Sequence, residues 1–348
     1  MSQIITTGWV KSSGWESESN IPTLWIGERN RLLGSDNNID LVLLYGYDKL
    51  EKPYLSALSD CGYQVIDASL QYHKLCEKFK KLSQYVIYEK NCFLRWPIVN
   101  ELYGGESVFH FDGDIVFNVT PEELNSRLGQ KTFALQGCPG ILSIQDQNWF
   151  EEYEKELLKF STDIVSYSKQ AWKERKGWIH SMKKKWAGAR FREIIGSDQD
   201  LISHLIHTDR IIQDKPQEVM KKIPDMVMFS NPLYLFDNIE DPMICYKRQE
   251  AVDYINSKRV AFWHMQNDFT NYLRINLLLN YIPGYIGRIP NPLELSNNWK
   301  DRTLKRIHHQ LEPHLQYRLP RGYICRHFFE AQDFSQVFKS NRFWKKLG

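Results

Sequence analysis

"FHFDGDIVF", residues 109–117, decides how this chain is read. An apolar run leads into Asp112 and Asp114, which are separated by a single glycine, and a second apolar run follows. A buried strand that leaves the core at such a pair presents both carboxylates where the backbone turns. Three chemistries compete for them: ligands for a divalent cation, a nucleophile beside its acid partner, or the plain polar end of a strand.

Upstream, strand and helix signals alternate. "IDLVLLYGYD" (39–48) is a continuous apolar run ending in a Gly-containing turn, the pattern of a fully buried parallel strand. "KPYLSALSDCGY" (52–63) has helical spacing and stops near Gly62, and "QVIDASL" (64–70) has the pattern of a second strand. "YVIYEKNCFLRWPIVNELYG" (85–104) is mostly helical, with a break or kink expected at Pro97.

Downstream, "NVTPEEL" carries a helix start, with Thr120 as N-cap, Pro121 at the first helical position and acids in the first turn. "TFALQGCPGILSI" (132–144) predicts two short strands around a Gly/Pro turn, and "DQNWFEEYEKELLKF" (146–160) predicts a helix. "GSDQDLISHLIH" (196–207) opens with a cap-like Ser197–Asp198 and continues as a short amphipathic helix. "VAFWHMQ" (260–266) is an apolar strand ending in His264. The alternation predicts an α/β fold, a mixed sheet flanked by helices, in which ligands gather at the carboxyl ends of the strands. Four stretches are expected: a polar segment over 1–38 without clear period, a first half over 39–120, a second half over 121–290 with an insert at 161–193, and a C-terminal extension over 291–348.

Composition narrows the function classes. A net charge of +3 on 348 residues is too mild to imply nucleic-acid binding. The six cysteines are scattered, with no C-x-x-C pair, which fits reduced thiols better than a disulfide framework or a zinc site. The N-terminal residues lack a charged region followed by an apolar stretch, and no apolar run approaches the roughly 18 residues of a membrane span. The expectation is a soluble cytoplasmic protein. Aromatics reach 14%, and two segments combine them with basic residues: "SKQAWKERKGWIHSMKKKWAGARFRE" (168–193) and the tail over 321–348. Each reads either as a solvated surface with packed tryptophans or as a surface for an anionic partner, the first as a lid over a diphosphate and both as peripheral contacts with an anionic membrane.

In the order of its motifs the chain resembles the GT-A-type, D-x-D, metal-dependent nucleotide-sugar glycosyltransferases. "NCFLRWPIVNEL" followed by "VFHFDGDIVF" is similar to their helix-then-D-x-D arrangement, "GSDQDLISHLI" to their DQD segment with Ser203 where Asn is usual, and "FWHMQ" to their late histidine. The resemblance spans roughly residues 39 to 290 and implies a nucleotide-sugar-binding half over 39–120 and an acceptor-binding half over 121–290. It departs from one large retaining family after His264, where "HMQNDFTNY" replaces the longer H-x-x-G-x-x-K-P-W ending.

The resemblance implies a GT-A-like Rossmann-type sheet and transfer of a sugar from a nucleoside-diphosphate sugar, a UDP-sugar by preference, to an acceptor hydroxyl. Asp112, Asp114 and His264 would hold Mn²⁺ or Mg²⁺, the imidazole favouring Mn²⁺. Asp112 would bind either the metal or the donor ribose. Tyr45 or Tyr47 would lie against the base, and Arg95 would contact the donor. Asp198 would bind sugar hydroxyls, Gln199 or Asp200 would sit near the anomeric carbon, and Asp200 would serve as base in an inverting mechanism. The acceptor, whether saccharide, lipid-linked or protein, is left open. Two rivals stand beside this reading. "FDGDIV" also resembles the D-x-D-x-[T/V] of haloacid-dehalogenase-type phosphohydrolases, with Asp112 as nucleophile. A catalytically silent member binding glycan or membrane through its Trp-rich surface is the other.

Overall fold

The computed structural model describes residues 2–11, 23–35, 38–129, 133–135, 138–175, 194–211, 219, 221–229, 243–249, 252–255, 257–264 and 286–290. In chain order its elements begin with β1 (Gln3–Gly8), α1 (Thr23–Leu32), β2 (Ile39–Leu43), α2 (Lys52–Asp60) and β3 (Tyr63–Asp67). They continue with α3 (Ser69–Lys78), α4 (Ile87–Tyr103), β4 (Val108–Phe111), β5 (Ile115–Phe117) and α5 (Pro121–Leu128). Next come β6 (Phe133–Leu135), β7 (Cys138–Ile144), α6 (Asn148–Thr162), α7 (Ile164–Arg175) and α8 (Asp198–His207). The last strands are β8 (Met226–Phe229), β9 (Met243–Gln249), β10 (Val252–Ile255), β11 (Lys258–His264) and β12 (Ile286–Pro290). The fold is mixed α/β, and the chain divides into two compact units. The first comprises Met1–Ser13, Asn38–Gly113 and Asn125–Val219, and the second Gly14–Asn37, Asp114–Leu124 and Met220–Gly348. The boundary falls inside the D-G-D motif, after Gly113.

The first unit is built on a mixed sheet in the order β3-β2-β1-β4-β7-β6. β1 pairs in parallel with β2 and with β4, β2 pairs in parallel with β3, and β7 runs antiparallel to β4. The chain steps outward from β1 to β3, then returns to place β4 on the other side of β1. A reversal of this kind opens a crevice at the carboxyl ends of the two central strands. β1 itself was not anticipated: the polar reading of residues 1–38 passes over "QIITTG", whose β-branched Ile4, Ile5, Thr6 and Thr7 make a strand that Gly8 ends. As a result the turn after residue 43 follows the second strand, not the first.

A single core supports this sheet, with Ile5, Val42 and Val108 against Phe93, Trp96 and Val99 of α4 and Trp149, Tyr153 and Phe160 of α6. Aromatic packing fixes the two helices to each other: Phe93 and Phe160 lie 5.4 Å apart, and Trp96 meets Trp149 edge to face at 5.4 Å.

The expected break at Pro97 does not occur, and α4 runs unbroken through it. Proline has no N–H to give the carbonyl four residues earlier, which is that of Phe93. The buried Tyr153 hydroxyl donates to that oxygen instead, at 3.2 Å. The helix continues because a side chain from α6 replaces the missing donor.

In the second unit the strands run β12-β9-β10-β11-β5, with β8 parallel to β11. β5 and β11 are antiparallel and register Phe117 with Phe262, Val116 with Trp263 and Ile115 with His264. Arg29 of α1 donates to the Phe117 carbonyl at 2.8 Å and also reaches the Asn118 side chain, while Arg259 donates to the Asn118 carbonyl at 2.8 Å. The cap expected at Thr120 forms, its hydroxyl accepting the Glu123 N–H at 3.0 Å. Residues 12–22, most of the basic segment (176–193), and the whole extension over 291–348 lie outside the described residues. Residues 168–175 of that segment belong to α7. Among the described residues no helix is long and apolar enough to cross a membrane.

Candidate functional site

β4 positions Asp112. The strand is buried along its whole length, and the Asp112 N–H donates to the Gly140 carbonyl at 2.8 Å, carrying the pairing with β7 one residue past Phe111. The carboxylate thus emerges at the carboxyl end of β4, beside the reversal in strand order, where the fold gathers ligands. At the neighbouring strand ends, Thr7 Oγ1 and His110 Nε2 share a hydrogen bond of 3.1 Å.

Arg95 of α4 reaches this point from inside the core. Its Nη1 donates to Asp112 Oδ1 at 2.6 Å, while Nε and Nη2 donate to Asp198 Oδ2 at 3.0 and 2.8 Å. The Trp96 Nε1 joins the same oxygen at 3.0 Å, and Asp198 Oδ1 accepts the Gln199 N–H at 2.9 Å. Burial alone would favour loss of the Arg95 proton; the two carboxylates, Asp112 first, overcome this and hold the guanidinium's pKa well above its ordinary value. Nearby, burial and the Asp198 charge push the Cys92 thiol well above its usual range, so it stays protonated and inert.

α8 begins at this network. Ser197 occupies the N-cap with extended backbone, but its side chain makes no cap hydrogen bond. Of the capping expected of Ser197 and Asp198, Asp198 supplies its part through the Gln199 N–H, and Asp200 Oδ2 accepts the Gly196 N–H just before the helix at 3.0 Å. Asp198 and Asp200 are buried, and Gln199 between them is half-buried.

Tyr45 and Tyr47 flank the turn after β2. The Tyr45 ring lies 5.0 Å from that of Tyr72, and its hydroxyl meets Asn91 Nδ2 at 3.4 Å. Gly46 between the two tyrosines has φ of +87°, and a Cβ there would stand 2.2 Å from the Val10 carbonyl oxygen. Only glycine lets this turn close on the segment after β1.

In the second unit, Asp114 and His264 meet. His264 ends β11, is 3% exposed, and sets its Nε2 3.4 Å from Asp114 Oδ1. That spacing exceeds an ordinary hydrogen bond of about 2.7–3.2 Å. It is close to the separation of about 3 Å between adjacent ligands around an octahedral cation whose ligands stand at about 2.1 Å. The donor set therefore fits a divalent cation: a carboxylate oxygen and an imidazole nitrogen in one unit, with Asp112 one glycine away along the chain.

Arg95, Asp112 and Asp198 were all anticipated from sequence, but as separate contacts to a donor and not as one bridged network. Trp96 was missed. Its signal is only that an indole buried beside an arginine needs an acceptor for its N–H. No known protein-family model matches the chain, and no curated protein matches it.

Proposed function

We propose that this protein is a metal-dependent glycosyltransferase of GT-A-like fold that moves a sugar from a nucleoside-diphosphate sugar, a UDP-sugar by preference, to an acceptor hydroxyl. The observation that carries the reading is the 3.4 Å pairing of Asp114 with the buried His264, two residues along the chain from an Asp112 that emerges at the carboxyl end of β4. A carboxylate such as Asp112 at a strand reversal suits the cation that a diphosphate-binding α/β site requires.

On this reading Asp114, His264 and Asp112 hold Mn²⁺ or Mg²⁺. When bound, the cation neutralises the charge that develops on the departing diphosphate. The chain's own part is to orient. Tyr45 and Tyr47, on the turn that Gly46 closes, lie at the carboxyl end of the strand next to β1 and would face the base and ribose. Gln199, half-buried between two buried aspartates, would contact the sugar near its anomeric carbon. Asp200 is the carboxylate proposed as base if the reaction inverts. The acceptor is a saccharide, a lipid-linked saccharide or a protein, and a basic, tryptophan-rich segment before Gly196 would bring the protein to an anionic membrane face.

A thermal-shift panel tests this: UDP, GDP, CMP and inorganic phosphate, each with and without Mn²⁺, on wild type and on Asp114→Ala. A ligand at about 100 times its dissociation constant stabilises by about 2.7 kcal/mol, enough to move the midpoint by several degrees. The expected result is a shift that needs both one nucleoside diphosphate and Mn²⁺ and is absent in the variant. A wild type that no nucleotide shifts under any metal condition would sink the proposal. A shift with phosphate alone would favour the phosphohydrolase reading of Asp112.

A further inference from the structure

We propose that Asp198 is a positioning residue that acts on the cation site through Arg95: it clamps the guanidinium, which in turn clamps Asp112. The inference rests on the reading of Asp112 as a cation ligand and adds to it what holds that ligand in place.

Asp198 is turned inward, toward Arg95 and Trp96, and offers little to a substrate. Its Oδ2 accepts from three donors, Arg95 Nε, Arg95 Nη2 and Trp96 Nε1, and its Oδ1 accepts the Gln199 N–H. The residue is 2% exposed. A sugar hydroxyl would have to enter the core to reach the one acceptor position that Oδ1 keeps. The half-buried member of the trio is Asp112, and it takes the remaining arm of the same guanidinium at 2.6 Å.

The guanidinium is a rigid plane, so fixing its Nε and Nη2 on Asp198 also fixes the direction of Nη1. Asp112 Oδ1 then has one stable orientation, and the carboxylate is held before any cation arrives. The charges work in the same direction. One guanidinium between two carboxylates leaves the trio at −1, a net attraction for a cation. Without the Asp198 charge the trio is neutral, and Arg95 competes with the cation for Asp112.

The test is Mn²⁺ affinity, measured by electron paramagnetic resonance of the free ion during titration, with no nucleotide present. Four variants are compared with wild type under conditions where circular dichroism shows each folded: Asp114→Asn, Asp198→Asn, Arg95→Lys and Glu156→Gln. Partners that orient metal ligands typically change affinity by about 10- to 100-fold when lost, and a loss of that size is expected for Asp198→Asn. Arg95→Lys keeps the charge but lacks the planar fork; it is expected to weaken Mn²⁺ as well, and it serves as the test if Asp198→Asn does not fold. Glu156→Gln perturbs a buried carboxylate whose partners are Lys159, Tyr167 and Arg210, and is expected to bind Mn²⁺ as wild type does.

Wild-type affinity in Asp198→Asn, or in Arg95→Lys where that variant must stand in, overturns the inference if Asp114→Asn is weakened. An equal loss in Glu156→Gln also overturns it, because the effect would then report stability alone. If Asp114→Asn binds Mn²⁺ as well as wild type does, the cation site itself is wrong and the proposed function falls with it.

Discussion

The Tyr153 hydroxyl stands 3.2 Å from the carbonyl oxygen of Phe93, the acceptor that Pro97 deprives of its helical donor. The two residues belong to different helices, so α4 depends on α6 for its backbone as well as for its packing. Tyr153→Phe keeps the ring, including its stack on Trp149, and leaves the carbonyl unsatisfied in the core. Such a loss costs about 1–3 kcal/mol. Putting Pro97→Ala into the same chain returns an N–H to Phe93 and is expected to recover most of that cost. Urea denaturation of the two single variants and the double variant measures the coupling. Strict additivity would show that the hydroxyl does not compensate for the proline.

Gly46 makes a second expectation sharp. At φ of +87° any other residue is strained, by about 1–2 kcal/mol, and its Cβ would meet the Val10 carbonyl oxygen at 2.2 Å. Gly46→Ala should therefore lower the thermal midpoint by a few degrees and loosen the turn that carries Tyr45 and Tyr47. If a nucleotide binds there, its affinity should fall in step. An unchanged midpoint would mean that the turn does not close on Val10 as described.

What was legible in the sequence followed local physics. Thr120 and Pro121 announce a helix start because capping is decided by neighbours in the chain, and β11 is legible as an apolar run. β1 was missed because Thr6 and Thr7 count as polar in a hydrophobic pattern, although β-branching suits them to a central strand. That the helix runs unbroken through Pro97 was not legible, because the donor that replaces the missing N–H comes from Tyr153 on another helix. The candidate ligands Asp112, Asp114 and His264 were named from residue type and motif order. The bridge from Asp198 through Arg95 to Asp112 was not, because a sequence does not say where a guanidinium points.

Acid should reveal the role of Glu156. Its carboxyl is buried yet titrates below the ordinary range: burial pushes its pKa up, and hydrogen bonds from Lys159 (2.6 Å) and Tyr167 (2.8 Å), with the charge of Arg210, outweigh that push. A depressed acid contributes stability that is fully present above the unfolded-state value, about 4.3 for glutamate, and is lost as pH falls through the lower folded-state value. Glu156→Gln is thus expected to melt below wild type at pH 7, and the gap is expected to close as pH drops below about 4.3. Melting curves for both proteins between pH 7 and pH 3 measure this, and a gap of constant size across the range would rule out the ion-pair account.

On the proposed reading, His264 sets which cation the site prefers. Oxygen-only sets suit Mg²⁺, and an imidazole nitrogen shifts preference toward Mn²⁺. His264 Nε2 lies 3.4 Å from Asp114 Oδ1, at the end of a strand whose partner residue, Ile115, directly follows Asp114. The register between β5 and β11 therefore sets this spacing, and removing the ring should leave the carboxylate where it is. His264→Ala is expected to lose more affinity for Mn²⁺ than for Mg²⁺, so that the ratio of the two dissociation constants moves toward Mg²⁺. Asp114→Asn removes the shared oxygen ligand and should weaken both cations alike. Titrating each cation by calorimetry into wild type and the two variants separates the roles. If His264→Ala weakens both cations equally, His264 shapes the strand end and is not a ligand.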